Sequence, residues 1–272
     1  MSNHLSAAEI ARFHERGYLS PRRAIEEHEA LACRRALEAF ESGGARGNGL
    51  EARLPATDLH LLFRWAWDLV HDPRIVEPVT DVLGPDVLLW SLNWFIKEAR
   101  DGKFVTWHQD ATYWGLEPHD VVTAWVALSD AGPETGPMKF LPGSHRGPLH
   151  SHENTHHEDN LLSRGQRIEA DLDEASAVLA PLAAGEMSIH HVRLAHGSEP
   201  NRTDDRRIGL VLRYCATHVR QTHIPRDTAT LVAGEDRFDH FDLMTAPEED
   251  LGAAELARHR DAVRRMAQAI MQ

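Results

Sequence analysis

The chain has 272 residues, 42% of them hydrophobic and 26% charged, with 29 basic against 42 acidic side chains and a formal net charge of −13. This length and composition fit one globular domain with a sizeable core and exclude disordered and collagen-like classes. The acidic balance argues against a nucleic-acid partner, and no run of about 18 apolar residues suggests a membrane span.

Helix signals dominate the first third. Ser6-Ala7-Ala8-Glu9 has capping-box spacing, with Leu5, Ile10 and Phe13 on one apolar side and Gly17 as the stop. Ser20-Pro21 offers a second start, a cap followed by proline at the first helical position. That helix carries Ile25, Leu31, Ala36, Leu37 and Phe40 and ends at Gly43-Gly44. Asp58 opens a third helix with Leu62, Trp65, Ala66 and Leu69 on one face, and Pro73 begins a fourth that Gly84-Pro85 closes. Residues 1–84 thus read as a helical part.

Beyond Gly84 the pattern turns to strands. Residues 87–96 are rich in β-formers, and Asp101-Gly102 is placed for a hairpin turn that returns through Phe104 to Trp107. Further strands are expected at 121–128, 138–141, 185–190 and 207–216. The polar stretch 145–176 reads as a long surface excursion, a feature usually functional or mobile. Residues 218–272 are expected to be a helical extension, with an amphipathic helix over 247–271. The expected architecture is a single α+β domain with a closed or double-sheet β core, at about 85–217, flanked by N-terminal and C-terminal helices. The two cysteines, Cys33 and Cys215, are too few for a disulfide framework, and residues 1–18 hold no apolar signal core. A cytoplasmic setting is therefore expected, and a monomer or homodimer is the expected oligomeric state.

Nineteen histidines stand out in the composition, and spacing sorts them better than abundance. In Trp107-His108-Gln109-Asp110, an imidazole and a carboxylate sit at i and i+2, so on a strand both would project from one face. His196 follows a later strand. Two histidines and one carboxylate, one pair close and one residue distant, form the facial ligand set of non-haem Fe(II) oxygenases, with zinc as the rival metal. Arg207 lies eleven residues after His196 at the start of a strand, where its guanidinium is able to grip a carboxylate. A surface salt bridge to Asp204 or Asp205 is the alternative, and the neighbouring Arg206 competes for either role. His190 and His191 are candidates for a pocket wall, whereas His150, His152, His156 and His157 look like a solvated loop.

His108-x-Asp110, Trp125-Val126-Ala127-Leu128, Leu141-Pro142-Gly143-Ser144-His145 and His196-Gly197-Ser198 with Asn201 and Arg207 together resemble the phytanoyl-CoA dioxygenase family. The resemblance spans roughly residues 5–217. It implies a double-stranded β-helix, or jelly-roll, core with Fe(II) held by His108, Asp110 and His196 as the catalytic centre. It also implies 2-oxoglutarate as cosubstrate beside O₂, its distal carboxylate on Arg207 with help from Ser198, and Lys97 and Trp125 nearby. A related branch of halogenases has a small residue in place of the carboxylate, so Asp110 directs the expectation to hydroxylation of a small molecule. Desaturation, cyclisation or oxidative degradation of a small organophosphonate or amine would use the same ligands. A non-catalytic jelly-roll binding protein is the reading from another class, and the intact set argues against it. Asn93, Tyr113 and Trp114 are the candidate substrate-wall residues.

Overall fold

The computed structural model describes residues 4–42 and 57–271. In chain order it opens with α1 (Ala7–Arg16), β1 (Tyr18–Arg23), α2 (Glu27–Glu41), α3 (Arg64–Val70) and α4 (Pro73–Leu83). There follow β2 (Val87–Lys97), β3 (Val105–His108), α5 (Ala111–Trp114), β4 (Leu116–Glu117), β5 (Val121–Ala127), β6 (Met138–Phe140), β7 (His152–Asn154) and β8 (Gln166–Ile168). The chain closes with β9 (Val178–Ala180), β10 (Glu186–His191), β11 (His196–Ser198), β12 (Arg207–Ala216), β13 (Arg220–Gln221), β14 (Asp227–Ala233), β15 (Phe241–Leu243) and α6 (Ala253–Ile270). Among the described residues no helix is long and apolar enough to cross a membrane.

Two sheets organise this mixed α/β chain. The larger has seven strands in the order β1-β10-β5-β12-β2-β14-β15, and the smaller has four, β3-β11-β6-β9. Alternation along the central strands separates two compartments. Val122, Ala124, Val126 and Leu128 on one side of β5, with Ile208, Leu210, Leu212 and Tyr214 of β12, pack against the helices in one apolar cluster. On the other side, Trp125, Ala127 and Val211 meet Met138 and Phe140 of the smaller sheet. Fully burying an aliphatic side chain of this kind contributes roughly 1.5–3 kcal/mol, so the strand alternation fixes which residues face the space between the sheets.

Several expectations are met. Ser6 and Glu9 form the capping box of α1, Gly17 ends it in the left-handed region, and Asp72 caps α4 with proline at its first turn. Others are corrected. Ser20-Pro21 does not start a helix: it lies inside β1, an edge strand, where a residue without an N–H is tolerated. The helix starts later, at a Glu26–Glu29 capping box. Its expected Gly43-Gly44 stop lies outside the described residues. Asp58 opens only a single short turn, Leu59–Leu61, and does not cap it with its side chain: its backbone and carboxylate both bond to Leu92, latching it to β2, and α3 begins at Arg64.

The Asp101-Gly102 turn joins two sheets and not a hairpin, since β2 pairs with β12 and β14 while β3 pairs with β11. The helical reading of 218–272 holds only for α6. Before it, β14 extends the larger sheet beside β2, and β15 adds to it in parallel. The excursion at 145–176 contains a short hairpin, β7 with β8.

Candidate metal centre

His196 on β11 is the direct cross-strand partner of His108 on β3. Register therefore brings together two histidines that sequence separates by 88 positions, and their ring centroids lie 4.1 Å apart. Asp110 joins them by a route other than a shared strand face. β3 ends at His108, and Asp110 has helical backbone angles (φ −58°, ψ −36°) as the cap residue of α5. That bend returns its carboxylate, with Oδ1 3.4 Å from His108 Nε2 and Oδ2 3.9 Å from His196 Nε2. The three ligand atoms lie within 4.8 Å of one another, the only such cluster among the described residues.

The histidine tautomers are set by the backbone. His108 Nδ1–H donates to the Thr106 carbonyl at 2.9 Å, and His196 Nδ1–H donates to the Leu194 carbonyl at 2.9 Å. Both Nε2 lone pairs are thereby left for a cation, the usual outer-shell arrangement of a metal-binding histidine. Burial drives the His196 pKa down to about 4, so it is neutral and able to ligate at physiological pH. Burial works against ionisation of Asp110, but positive charge around it, on His196 and His108 when their rings are protonated and on the Arg213 guanidinium, holds its carboxyl well below the usual range. Two neutral nitrogens and one anionic oxygen on one side of a point fit a divalent transition metal with open positions.

Gln109 braces the turn. Fully buried, its Nε2 donates to the carbonyls of Arg193 at 2.8 Å and Pro148 at 3.3 Å, and its Oε1 accepts from the His150 N–H at 2.9 Å. Its own N–H donates to His152 Nε2 at 3.0 Å. His152 is thus a support for the His108–Asp110 turn and not a solvated loop residue.

The centre opens on a cavity between the two sheets. Its polar lining includes Thr123, His190, Ser198, Arg207 and Arg213, and its apolar wall includes Phe95, Val105, Trp125, Met138, Leu162 and Val211. Arg207 is 1% exposed, which settles the alternative roles by competition for partners. Asp204 pairs with Arg100, Asp205 with Arg34, and Arg206 takes Glu41 and Glu98 at the surface. Arg207 keeps only a bond from Nη1 to the Gly136 carbonyl at 2.9 Å, while Nε and Nη2 are buried without partners. Without a carboxylate beside it, burial lowers the guanidinium pKa to about 9, still cationic at neutral pH. Trp125 lies over the guanidinium at 5.0 Å. A Cβ at Gly209 would overlap the Trp125 ring, so that position leaves room for the indole.

Lys97 is the register partner of Arg207 and is fully buried. Its Nζ donates to Ser198 Oγ at 2.6 Å, to the Gly136 carbonyl at 3.3 Å and to the Glu199 carbonyl. It braces Ser198 from behind the cavity wall. Burial and the nearby Arg207 charge push its pKa down to about 6.

Asn93, Tyr113 and Trp114 do not line the cavity. Asn93 accepts a bond from Arg213, Trp114 packs on Trp90 with ring centroids 5.5 Å apart, and Tyr113 meets His152 edge-on at 5.3 Å. They stand one layer behind the wall. The residue in front of them is Arg213, which the sequence reading missed. Its signal was present, because Arg207, Gly209, Val211 and Arg213 share one face of β12, and a cation on that face must look between the sheets. His190 also reaches the cavity, its ring 4.9 Å from that of His196, as its place on β10 suggested.

Comparison with known proteins agrees with this geometry. The chain is 34% identical over 162 residues to a probable alpha-ketoglutarate-dependent hypophosphite dioxygenase of Stutzerimonas stutzeri, covering 58% of this chain and 55% of that one. It is 25% identical over 227 residues to the ectoine dioxygenase of Halomonas elongata, covering 75% and 68%. The alignment with the Stutzerimonas relative thus spans about half of that protein's length. Among solved structures, the apo form of the non-heme monooxygenase ThoJ superposes with a TM-score of 0.85 at 35% identity, covering 97% of each chain. A model of the phytanoyl-CoA dioxygenase family matches residues 13–209, and the chain belongs to that family.

Proposed function

We propose that the protein is an Fe(II)- and 2-oxoglutarate-dependent oxygenase that hydroxylates an aliphatic C–H bond of a small molecule and releases succinate and CO₂. The observation that carries this is the pairing of the His108–Asp110–His196 cluster with the unpartnered, buried Nε and Nη2 of Arg207 in one cavity. A buried arginine edge without a counter-ion is costly unless a ligand carboxylate completes it. The face-to-face sheets are read as the double-stranded β-helix of this family, in a single domain. Two free cysteines suit a cytoplasmic setting.

In this reading His108, Asp110 and His196 hold the iron, which when bound supplies the redox chemistry that splits O₂ between succinate and the hydroxylated product. Arg207 receives the distal carboxylate of 2-oxoglutarate through its Nε–Nη2 edge. Ser198, whose oxygen already accepts from Lys97, is free to donate its own hydrogen to the same carboxylate. Trp125 and Phe95 flank the guanidinium and keep water from competing for it. The Nδ1 bonds of both histidines hold their rings in the ligating orientation.

The test is turnover of 2-oxoglutarate to succinate by the purified protein with Fe(II) in air. Wild type is expected to form succinate slowly alone and faster with a suitable substrate. His108→Ala and Asp110→Ala are expected to abolish it. Succinate formation that survives both substitutions would sink the assignment of the centre.

A further inference from the structure

Arg207 and Arg213 are presented to the cavity in the same way. Each is anchored through Nη1: Arg207 to the Gly136 carbonyl at 2.9 Å, Arg213 to Ser91 Oγ at 3.0 Å and to Asn93 Oδ1. In each the Nε is buried without a partner, Arg207 Nη2 is buried without one as well, and the side-chain hydrogen bonds of Arg213 among the described residues run from Nη1. Each lies over an indole, Trp125 at 5.0 Å and Trp114 at 4.7 Å. No carboxylate of the described residues comes within ion-pair distance of either. The Nε–Nη2 edge is the planar fork that takes a carboxylate by two parallel bonds. β12 therefore presents two such edges on one face, six residues or roughly 20 Å of strand apart.

Their charge environments differ. Arg213 is the cation whose field acts on the buried Asp110, and Asp110 and Asp58 are the charges it feels in return. It stands at the metal end, across an aliphatic wall that includes Val105, Val211 and Leu162. If 2-oxoglutarate neutralises Arg207 and, with Asp110, most of the iron charge, one positive charge stays uncompensated beside an apolar wall. That charge belongs to Arg213.

We propose that Arg213 is the residue that selects the substrate, binding the oxyanion of a small aliphatic acid through its free Nε–Nη2 edge. This inference rests on the oxygenase reading, because it assigns 2-oxoglutarate to Arg207. The Asn93 carbonyl and Ser91 hydroxyl hold the guanidinium flat, and Trp114 stacks beneath it, so these residues position Arg213. The planar fork favours a carboxylate; a tetrahedral phosphonate offers the same charge with poorer matching.

The test uses protein loaded with Ni(II) and 2-oxoglutarate, so that the metal and Arg207 are occupied and no turnover occurs. Acetate, methylphosphonate and the neutral acetamide are titrated while tryptophan fluorescence is followed, since Trp114 and Trp90 lie at the site. Wild type is expected to bind acetate saturably, methylphosphonate more weakly and acetamide not at all. Tighter binding of methylphosphonate would assign a phosphonate-type acid instead and overturn the carboxylate preference. Arg213→Gln is expected to weaken acetate at least tenfold, whereas Arg207→Gln weakens 2-oxoglutarate. Arg213→Lys keeps the charge without the fork and is expected to bind acetate with intermediate affinity, which also serves if the glutamine variant does not fold. Acetate binding equal in wild type and Arg213→Gln, or acetamide binding as well as acetate, would overturn the proposal. Failure of wild type to bind 2-oxoglutarate at all would instead overturn the oxygenase reading on which it stands.

Discussion

A glutamine between two ligands is easy to pass over. Gln109 makes three side-chain bonds to two separate backbone segments, 148–150 and Arg193, and is fully buried. Gln109→Ala leaves those groups unpaired and is expected to cost about 1–3 kcal/mol in urea unfolding. Because it frees the turn that returns Asp110, metal affinity measured by Ni(II) titration is expected to fall roughly 10- to 100-fold. Unchanged metal affinity would show that the turn holds its shape without Gln109. Gly209 gives a second residue-scale prediction. Gly209→Ala places a methyl in the Trp125 ring, so 2-oxoglutarate binding should weaken at least tenfold while the metal site, on other strands, still binds Ni(II). The cluster itself was legible in the sequence because His108, Asp110 and His196 carry a spacing that chemistry restricts, and the fold brings them together. Arg213 was not singled out, although the β12 alternation contained it. Gln109 was given no role and His152 was read as a loop residue, because bonds to groups distant in sequence leave no local pattern.

At the scale of elements, signals that depend on neighbours in sequence were read well. The capping box of α1 and the Asp72-Pro73 start of α4 are local hydrogen-bond chemistry. Errors arose where tertiary pairing overrode local cues. Ser20-Pro21 has a helix-start pattern but is claimed by the sheet edge, and β14 looks like part of a tail until β2 offers it a partner. Asp58 is the instructive case, a cap-like residue captured by Leu92 of β2. Burial raises its carboxyl pKa to about 7, and burial also lowers that of nearby His60 to about 3. These act in opposite directions. The unfolded Asp58 loses its proton near 3.8 and the folded one near 7, so its contribution to stability is lost as pH rises through that window. The unfolded His60 gains its proton near 6.5 and the folded one near 3, so stability is lost as pH falls. Asp58→Asn is therefore expected to stabilise the protein near pH 8, by up to about 4 kcal/mol, with little effect near pH 4. His60→Phe is expected to gain about 2 kcal/mol near pH 5 and nothing at pH 8. Urea melts across pH decide this, and identical pH profiles for both variants would contradict it.

For the whole molecule, the net charge of −13 says little about the site, where buried cations outnumber the one buried acid. Surface carboxylates supply the acidity, and the space between the sheets carries the reverse balance. Composition averages over both and hides the contrast; only the alternation of β5, β10 and β12 separates them. Nineteen histidines likewise reduce, at the site, to two proposed ligands, a third in the cavity wall and a fourth beneath the turn. The central claim is that His108, Asp110 and His196 hold iron while Arg207 holds 2-oxoglutarate beside it. Its most direct measurement is an anaerobic titration of Fe(II) and 2-oxoglutarate, followed by the visible charge-transfer band of the chelate. Wild type is expected to give a saturable band at one equivalent of each, Asp110→Ala to lose it, and Arg207→Gln to need at least tenfold more 2-oxoglutarate. A wild-type protein that gives no band at saturating Fe(II) and 2-oxoglutarate would contradict the account.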